Sequence, residues 1–326
     1  MWYTFCKIKN YCFWRSCYTS CIQVKSFAKI NLGLSLLKKR LDGYHDIITV
    51  FQAIDLHDSL TLKRNHSSTL QLTSTGIPIP LNEDNLIHRA FRVFQNHMQS
   101  EGGLEVHVEK RIPIGGGLGG GSSNAAATLT GMDQLWDTHL IPQDLEFMAA
   151  EIGSDVPFFI RGGTAIGEGR GERLTPTDLQ WDCWILLVCP AISVSTAWAY
   201  SQARIGLTKD EKLTNFRSIF QKNALRSLRG SLENELEGVV FKRHPLLRLF
   251  KEDMYKWDAF YASMSGSGSS VYGLFDSLEQ AEAARSFFLV DKRVTMFLCR
   301  PISSHSPGAM AADGVRCDYR LSKCLE

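Results

Sequence analysis

The segment Lys110–Met132, "KRIPIGGGLGGGSSNAAATLTGM", decides how the rest of the chain is read: six of the seven residues from Gly115 to Gly121 are glycine, and a helix-like run follows at once. Glycine loses more conformational freedom on folding than any other residue, so such a cluster implies close backbone approach or positive φ. Before it, "LEVHVEK" (Leu104–Lys110) alternates as a strand. After it, a helix is expected from about Ser122 to Trp136, with Ala126, Leu129, Met132 and Trp136 on one face. A strand, a glycine loop and a helix N-terminus form an anion site, because the helix presents unpaired N–H groups and about half a positive charge. Phosphate is the natural guest; a tightly packed turn is the alternative. Ser122 and Ser123 are read as hydroxyl donors to that phosphate, as ligands of a phosphate-bound Mg²⁺, or merely as an N-cap.

Two known phosphate loops fit imperfectly. Gly116 and Gly121 have the GxxxxG spacing of a P-loop, but Ser122 stands where lysine is required. Gly115, Gly117 and Gly120 satisfy GxGxxG, yet the second strand with an acidic ribose ligand is missing downstream. That region reads "WDTHLIPQDLEFMAAEIG", a turn and a helix.

The whole chain has 326 residues, a net charge of +2 and an ordinary soluble composition. Two domains sharing a cleft are expected, with small-molecule chemistry and no field directing the chain to nucleic acid or a membrane surface. Nine cysteines crowd the termini (Cys6, Cys12, Cys17, Cys21, Cys317, Cys324) or lie singly in the body (Cys183, Cys189, Cys299) without CxxC spacing, and are read as free thiols in a reducing compartment. Residues 1–23 carry Lys7, Lys9 and Arg15 but no acid, and read as an extension or a targeting segment; residues 302–326 read as a disordered tail. A cytoplasmic location is expected, or a plastid if the basic segment is a transit peptide.

From Val24 the pattern is strand-rich: "VKSFAKINLGLSLL", "IITVFQAIDL", "SLTLKR" and "TLQLTS". A helix is expected behind Asp84 or Asn85, with Leu86, Ala90, Phe91, Val93 and Phe94 on its apolar face. "PQDLEFMAAEIG" reads as a helix, and "SDVPFFIRGGTAIGEGRGERLTP" as a turn and a hairpin. Composition shifts near Leu174, placing a domain at 24–174 and another at 175–301. The second has the strand "CWILLVCP", amphipathic helices between Thr196 and Phe250, and a strand pair around Ser263–Ser270.

Read together, "SFAKINLGL", "KRLDGYHDIITVFQAIDLHDSL", "DNLIHRA", the glycine loop, "GSDVPFFIRGGTAIGEGRGE" and "MSGSGSSVYGLF" resemble the galactokinase, homoserine kinase, mevalonate kinase and phosphomevalonate kinase superfamily over about Val24 to Arg300. The likeness is strongest to the branch whose acceptor is 4-diphosphocytidyl-2-C-methyl-D-erythritol. Asn124 departs from it, standing where the family often has Asp. The resemblance implies an α+β fold: an N-terminal ribosomal-protein-S5-domain-2-like domain, a C-terminal ferredoxin-like domain, and the active site in the cleft between them. It implies phosphoryl transfer from ATP, with Mg²⁺, by a monomer or weak homodimer.

What the resemblance implies for single residues sits beside their plainer readings. Asp155 is either a helix cap or, by resemblance, the general base. Lys29 shares a strand face with Phe27 and Asn31; it is either a solvated edge residue or the cation beside the acceptor hydroxyl. The ATP side would comprise Pro113, Ile114, Gly115, Gly116, Gly117, Leu118, Gly119, Gly120, Gly121, Ser122 and Ser123, with Lys110 as a further phosphate cation and Asn85 near the base; Ser123 is the possible metal ligand. On the acceptor side, Tyr44 and His45 of "DGYH" form a turn with surface aromatics or the cytosine contact, and Tyr200 would stack on the other face, although Trp198 confuses that assignment. Asn31, Thr196 and the small-residue loop with Gly266 and Gly268, otherwise a tight hairpin, complete that pocket. A sister kinase acting on mevalonate-type alcohols is the runner-up.

Overall fold

The computed structural model describes residues 21–177, 182–203, 228–289 and 293–303. Most of the expected N-terminal extension and tail, with Cys6, Cys12, Cys17, Cys317 and Cys324, lies outside the described residues. The first part of the chain runs β1 (Cys21–Lys39), β2 (His45–Asn65), β3 (Leu70–Gly76), α1 (Leu86–Met98), β4 (Gly103–Lys110), α2 (Gly120–Trp136), α3 (Pro142–Ile152), the single turn α4 (Phe158–Arg161), β5 (Thr164–Gly169) and β6 (Arg173–Thr177). There follow β7 (Trp184–Pro190), α5 (Thr196–Gln202), α6 (Glu237–Arg243), α7 (Pro245–Lys256), β8 (Tyr261–Met264), β9 (Val271–Phe275), α8 (Leu278–Phe288) and β10 (Val294–Cys299).

Two sheets result. In the first the strand order is β3-β4-β2-β5-β6 with β1 paired to β2, and β3 runs parallel to β4 because α1 crosses between them. The second is antiparallel with order β10-β7-β9-β8, the arrangement of a β-α-β-β-α-β unit. This is the expected α+β pairing of domain types. Three boundaries differ from the expectation. β1 begins at Cys21 with Ile22 buried, β6 carries the first sheet on to Thr177, and Ile302 bonds through both its N–H and C=O to β2. In each case a polar-looking end is held by backbone pairing, which composition does not register.

β1 shows why side-chain alternation misleads here. All residues from Ser26 to Leu36 are buried: Ala28, Ile30 and Leu32 pack with the second sheet, Leu34 and Leu36 join the core beyond it, and Lys29 and Asn31 face an internal chamber. Ala28, Ile30 and Leu32 meet Ile185, Leu187 and Tyr272, and the Tyr272 hydroxyl donates to the Asn31 carbonyl at 2.7 Å. Each fully buried Ile or Leu side chain among these contributes roughly 1.5–3 kcal/mol. Lys29 is therefore an interior lysine, not a solvated edge residue. α1 starts as expected: Asn85 caps it by accepting from the Ile87 N–H. Its buried face is Ile87, Ala90, Phe91 and Phe94, with Leu86 and Val93 only half-buried at the margins.

β2 runs unbroken through "HDS", where two strands were expected, because Asp58 is taken inside with its charge satisfied. Its carboxylate accepts from Lys110 Nζ at 2.5 Å and from the N–H groups of Arg111 and Ile112 at 2.7 and 2.8 Å. The Asn124 amide, oriented with its nitrogen inward, donates to the same carboxylate at 2.9 Å. Asp58→Ala should destabilise the fold by roughly 3–5 kcal/mol, since it strands a buried ammonium, while Asp58→Ala with Lys110→Met should recover part of that loss. Urea unfolding midpoints of the two variants measure both effects.

Candidate active site

The glycine loop is built by close approach from both sheets. The Lys29 N–H of β1 donates to the Leu118 carbonyl at 3.0 Å, and from the β8–β9 loop the Ser265 hydroxyl donates to Gly117 O at 2.9 Å and the Ser270 N–H to Gly116 O at 3.2 Å. A Cβ on Gly117 would lie 2.0 Å from the Ser265 carbonyl oxygen, and one on Gly119 would lie 2.6 Å from the Phe159 ring. Both glycines have positive φ, 76° and 70°. Close approach and left-handed backbone together account for the entropy cost read from the sequence.

Gly119 is the N-cap of α2, which begins at Gly120 rather than Ser122 and has no side-chain cap. Its first-turn N–H groups are thus left for a guest. Neither serine is the cap. Ser122 lines a cavity of about 320 Å³ on this side of the loop, together with Pro113, Ile114 and residues 115–121. Ser123 instead turns inward, is buried, and accepts from the Ser26 hydroxyl at 2.8 Å. Of the two serines only Ser122 borders the cavity, so Ser123 does not stand where a metal ligand was expected. Lys110 borders the same cavity, but its ammonium is committed to Asp58. Burial lowers the Lys110 pKa and Asp58 opposes that shift. Asn85 borders it too, with both ends of its amide engaged, one capping α1 and the other donating to the Pro80 carbonyl at 2.7 Å. Lys110 spends one of its three N–H donors on Asp58 and Asn85 one of its two on Pro80, so each keeps a donor toward the cavity.

Gly115, Gly117 and Gly119 also line a second cavity of about 720 Å³, so the loop is a wall between two chambers. At one end of the larger chamber Lys29 Nζ lies 3.7 Å from Asp155 Oδ2, donates to Asn31 Oδ1 at 2.5 Å and faces the Phe51 ring. Asn31 is oriented in turn by donating to Thr49 Oγ1 at 2.9 Å. Burial pushes the Lys29 pKa down, and Asp155 partly restores it. Asp155 does not cap α4, whose N-cap is Pro157 without a side-chain bond. Its side chain is 36% exposed, reachable from the chamber. The helix-cap reading of Asp155 has no bond to support it.

At the other end stand Tyr44, His45 and Tyr200, the His45 and Tyr200 rings 5.6 Å apart. Burial, then Lys39, lowers the His45 pKa, which favours a neutral imidazole that both donates and accepts. Burial, then Asp155, raises that of Tyr200. Trp198 lies off this chamber, with its ring under Arg243, which resolves the ambiguity in favour of Tyr200. Thr196 Oγ1 lies 2.8 Å from Ser267 Oγ, tying α5 to the loop that carries Gly266 and Gly268. That loop is itself held by Asn234, whose amide donates to the Met264 and Gly266 carbonyls at 2.8 and 2.7 Å. Sequence reading missed Asn234, which carries no local signal. It also missed Asp58, an acid within an apolar strand, and Arg170, a lone cation in the glycine-rich turn "GEGRGE" that reaches the chamber. Among the described residues no group of three or more His, Cys, Asp or Glu forms a metal cage. The N–H groups suit phosphate oxygens and the Ser122 hydroxyl oxygen suits Mg²⁺, which keeps waters and binds largely through phosphates.

Comparisons with known proteins agree with this geometry. Residues 85–163 match the profile described as GHMP kinases N terminal domain, and residues 214–289 that described as GHMP kinases C terminal. A 4-diphosphocytidyl-2-C-methyl-D-erythritol kinase of Alkaliphilus metalliredigens is 40% identical over 266 residues, spanning 81% of this chain and 91% of that protein. The kinase of the same name from Lachnoclostridium phytofermentans is 37% identical over 264 residues, with the same shares. A crystal structure of 4-(cytidine 5'-diphospho)-2C-methyl-D-erythritol kinase superposes with a TM-score of 0.71 at 32% identity, over 85% of this chain and 99% of that one. The structure of a homoserine kinase from Cytophaga hutchinsonii, at 18% identity and a TM-score of 0.71, covers 87% and 96% and shares the fold. With a helix-terminal glycine wall between two chambers and this identity over most of both chains, the chain belongs to the 4-diphosphocytidyl-2-C-methyl-D-erythritol kinase family of GHMP kinases.

Proposed function

We propose that this chain transfers the γ-phosphoryl group of ATP to the 2-hydroxyl of 4-diphosphocytidyl-2-C-methyl-D-erythritol, giving the 2-phosphate and ADP, in the non-mevalonate supply of isoprenoid precursors. The observation that carries the reading is the Lys29–Asp155 pair on one side of the glycine wall, with the uncapped start of α2 on the other. The donor triphosphate lies along the N–H groups of the loop and first turn of α2, and the acceptor fills the larger chamber. Ser122 and the triphosphate would hold Mg²⁺, which would supply charge neutralisation at the transferring group. Asp155 takes the hydroxyl proton. Lys29, hydrogen-bonded to Asn31, lowers that hydroxyl's pKa and stabilises the charge developing on its oxygen. Tyr44, His45 and Tyr200 grip the cytosine by stacking and edge hydrogen bonds, and Gly266 and Gly268 close over the acceptor from the second domain. We place the reaction in the cytoplasm, on the bacterial sources of the relatives, with the enzyme a monomer or weak homodimer. Among the described residues no helix is long and apolar enough to cross a membrane.

ADP release with ATP, Mg²⁺ and the cytidyl acceptor is the direct test; activity on mevalonate with none on the cytidyl acceptor would sink the proposal in favour of the sister kinase. Asp155→Ala should lower kcat by roughly 10²–10⁴-fold while acceptor binding persists, as read by single-turnover rates and acceptor titration. Protonated Lys29 is the active form, and its pKa is lowered. The alkaline fall in kcat should therefore begin below the usual lysine range, and Lys29→Arg should move that limb to higher pH. A pH–rate profile of both proteins decides this.

A further inference from the structure

We infer that Arg170 is a specificity-determining residue that holds the diphosphate joining the two halves of the acceptor; the inference rests on the acceptor reading above. Its position carries the argument. The turn between β5 and β6 starts beside the catalytic pair, where a Cβ on Gly171 would lie 3.8 Å from Asp155 Oδ1. From there the Arg170 side chain reaches the aromatic end, its guanidinium 5.2 Å from the centre of the Tyr44 ring. Both Lys29 and Arg170 line the same chamber. An acceptor laid with its polyol at Asp155 and its cytosine at Tyr44, His45 and Tyr200 must carry its diphosphate across the span that Arg170 bridges.

The local chemistry suits a diphosphate. Asp42, an acid lining the same mouth, is engaged by Arg40 at 3.0 Å and also feels the Arg170 charge, but among the described residues no carboxylate lies within ion-pair distance of Arg170. Lys29 is occupied by Asp155 and Asn31 at the reacting end. The turn is also fixed: the Arg170 N–H donates to Glu172 Oε2 at 2.6 Å, the Gly171 N–H donates to the Glu168 carbonyl at 3.0 Å, and Gly169 and Gly171 have positive φ. A planar guanidinium on a fixed turn, resting on an aromatic ring, presents paired N–H donors to phosphate oxygens at little further entropy cost. A kinase for an unphosphorylated alcohol has no use for a cation there.

The test compares competition by cytidine and by cytidine 5'-diphosphate against the cytidyl acceptor, in the full-length enzyme and in Arg170→Gln and Arg170→Lys. The intact enzyme should bind cytidine diphosphate more tightly than cytidine by about 10- to 100-fold, the worth of charge-assisted hydrogen bonds. Arg170→Gln should collapse that ratio to within about threefold, Arg170→Lys should keep part of it, and the loss should appear in the acceptor KM rather than in kcat. ATP affinity, measured in parallel, reports that each variant is folded, because ATP lies across the glycine wall. A ratio that survives in Arg170→Gln overturns the role of Arg170 alone. An intact enzyme that binds neither competitor overturns the acceptor reading and this inference with it.

Discussion

Asp58 is the point on which the site's geometry depends. A buried carboxylate costs several kcal/mol unless its partners replace the water it has lost. Here the replacement comes from Lys110 at the end of β4, from two N–H groups at the entrance to the glycine loop, and from Asn124 in the first turns of α2. One side chain of β2 thereby gathers the strand before the loop, the loop and the helix after it. The arrangement also fixes Lys110 at the edge of the smaller cavity, with its charge balanced by Asp58. It gives Asn124 a physical sense: an amide donates to Asp58, whereas a carboxylate there would meet it with like charge unless protonated.

With its two ends held, the loop between them can be bare backbone. The absence of side chains at Gly117 and Gly119 lets the Ser265 carbonyl and the Phe159 ring press against it, and leaves a partition one chain thick between the two chambers. Groups held on its two sides can meet only past its edge, and bringing two reactants within contact distance with little freedom is the part of phosphoryl transfer that a protein supplies. β1 belongs to both halves of the apparatus. Its backbone supports the loop through Lys29 N–H, its Lys29 side chain faces the acceptor, and its other face packs on the second sheet. The lysine absent from the loop itself is in effect supplied by this strand.

Much of this was legible locally. Asn85 announced the start of α1, alternation announced β4, and the glycines announced a close-packed loop ahead of a helix. The errors share one cause. Ser123 was expected at the phosphate, yet Gly119 rather than a serine caps α2, and the shift in helix start rotates Ser123 inward to Ser26. A break was expected at His57-Asp58 because an acid suggests solvent, whereas this acid is paired from residues 110–124. Lys29 reads as a solvated cation on any pattern that assumes a sheet with one wet face.

The sequence by itself determined most of the elements, the strand–glycine loop–helix order and, through several motifs in order, the kinase family, because capping, periodicity and glycine's backbone freedom act over a few residues. Only the tertiary structure decided which charges are spoken for. Lys110 and Asp58 cancel in the interior, Lys29 and Asp155 meet in the open chamber, and Arg170 stands over Tyr44 with its neighbouring acid, Asp42, bonded to Arg40 instead. The physical reason is that a charge's role depends on its nearest partner and on how much water surrounds it. Both are set by contacts between residues tens to more than a hundred positions apart.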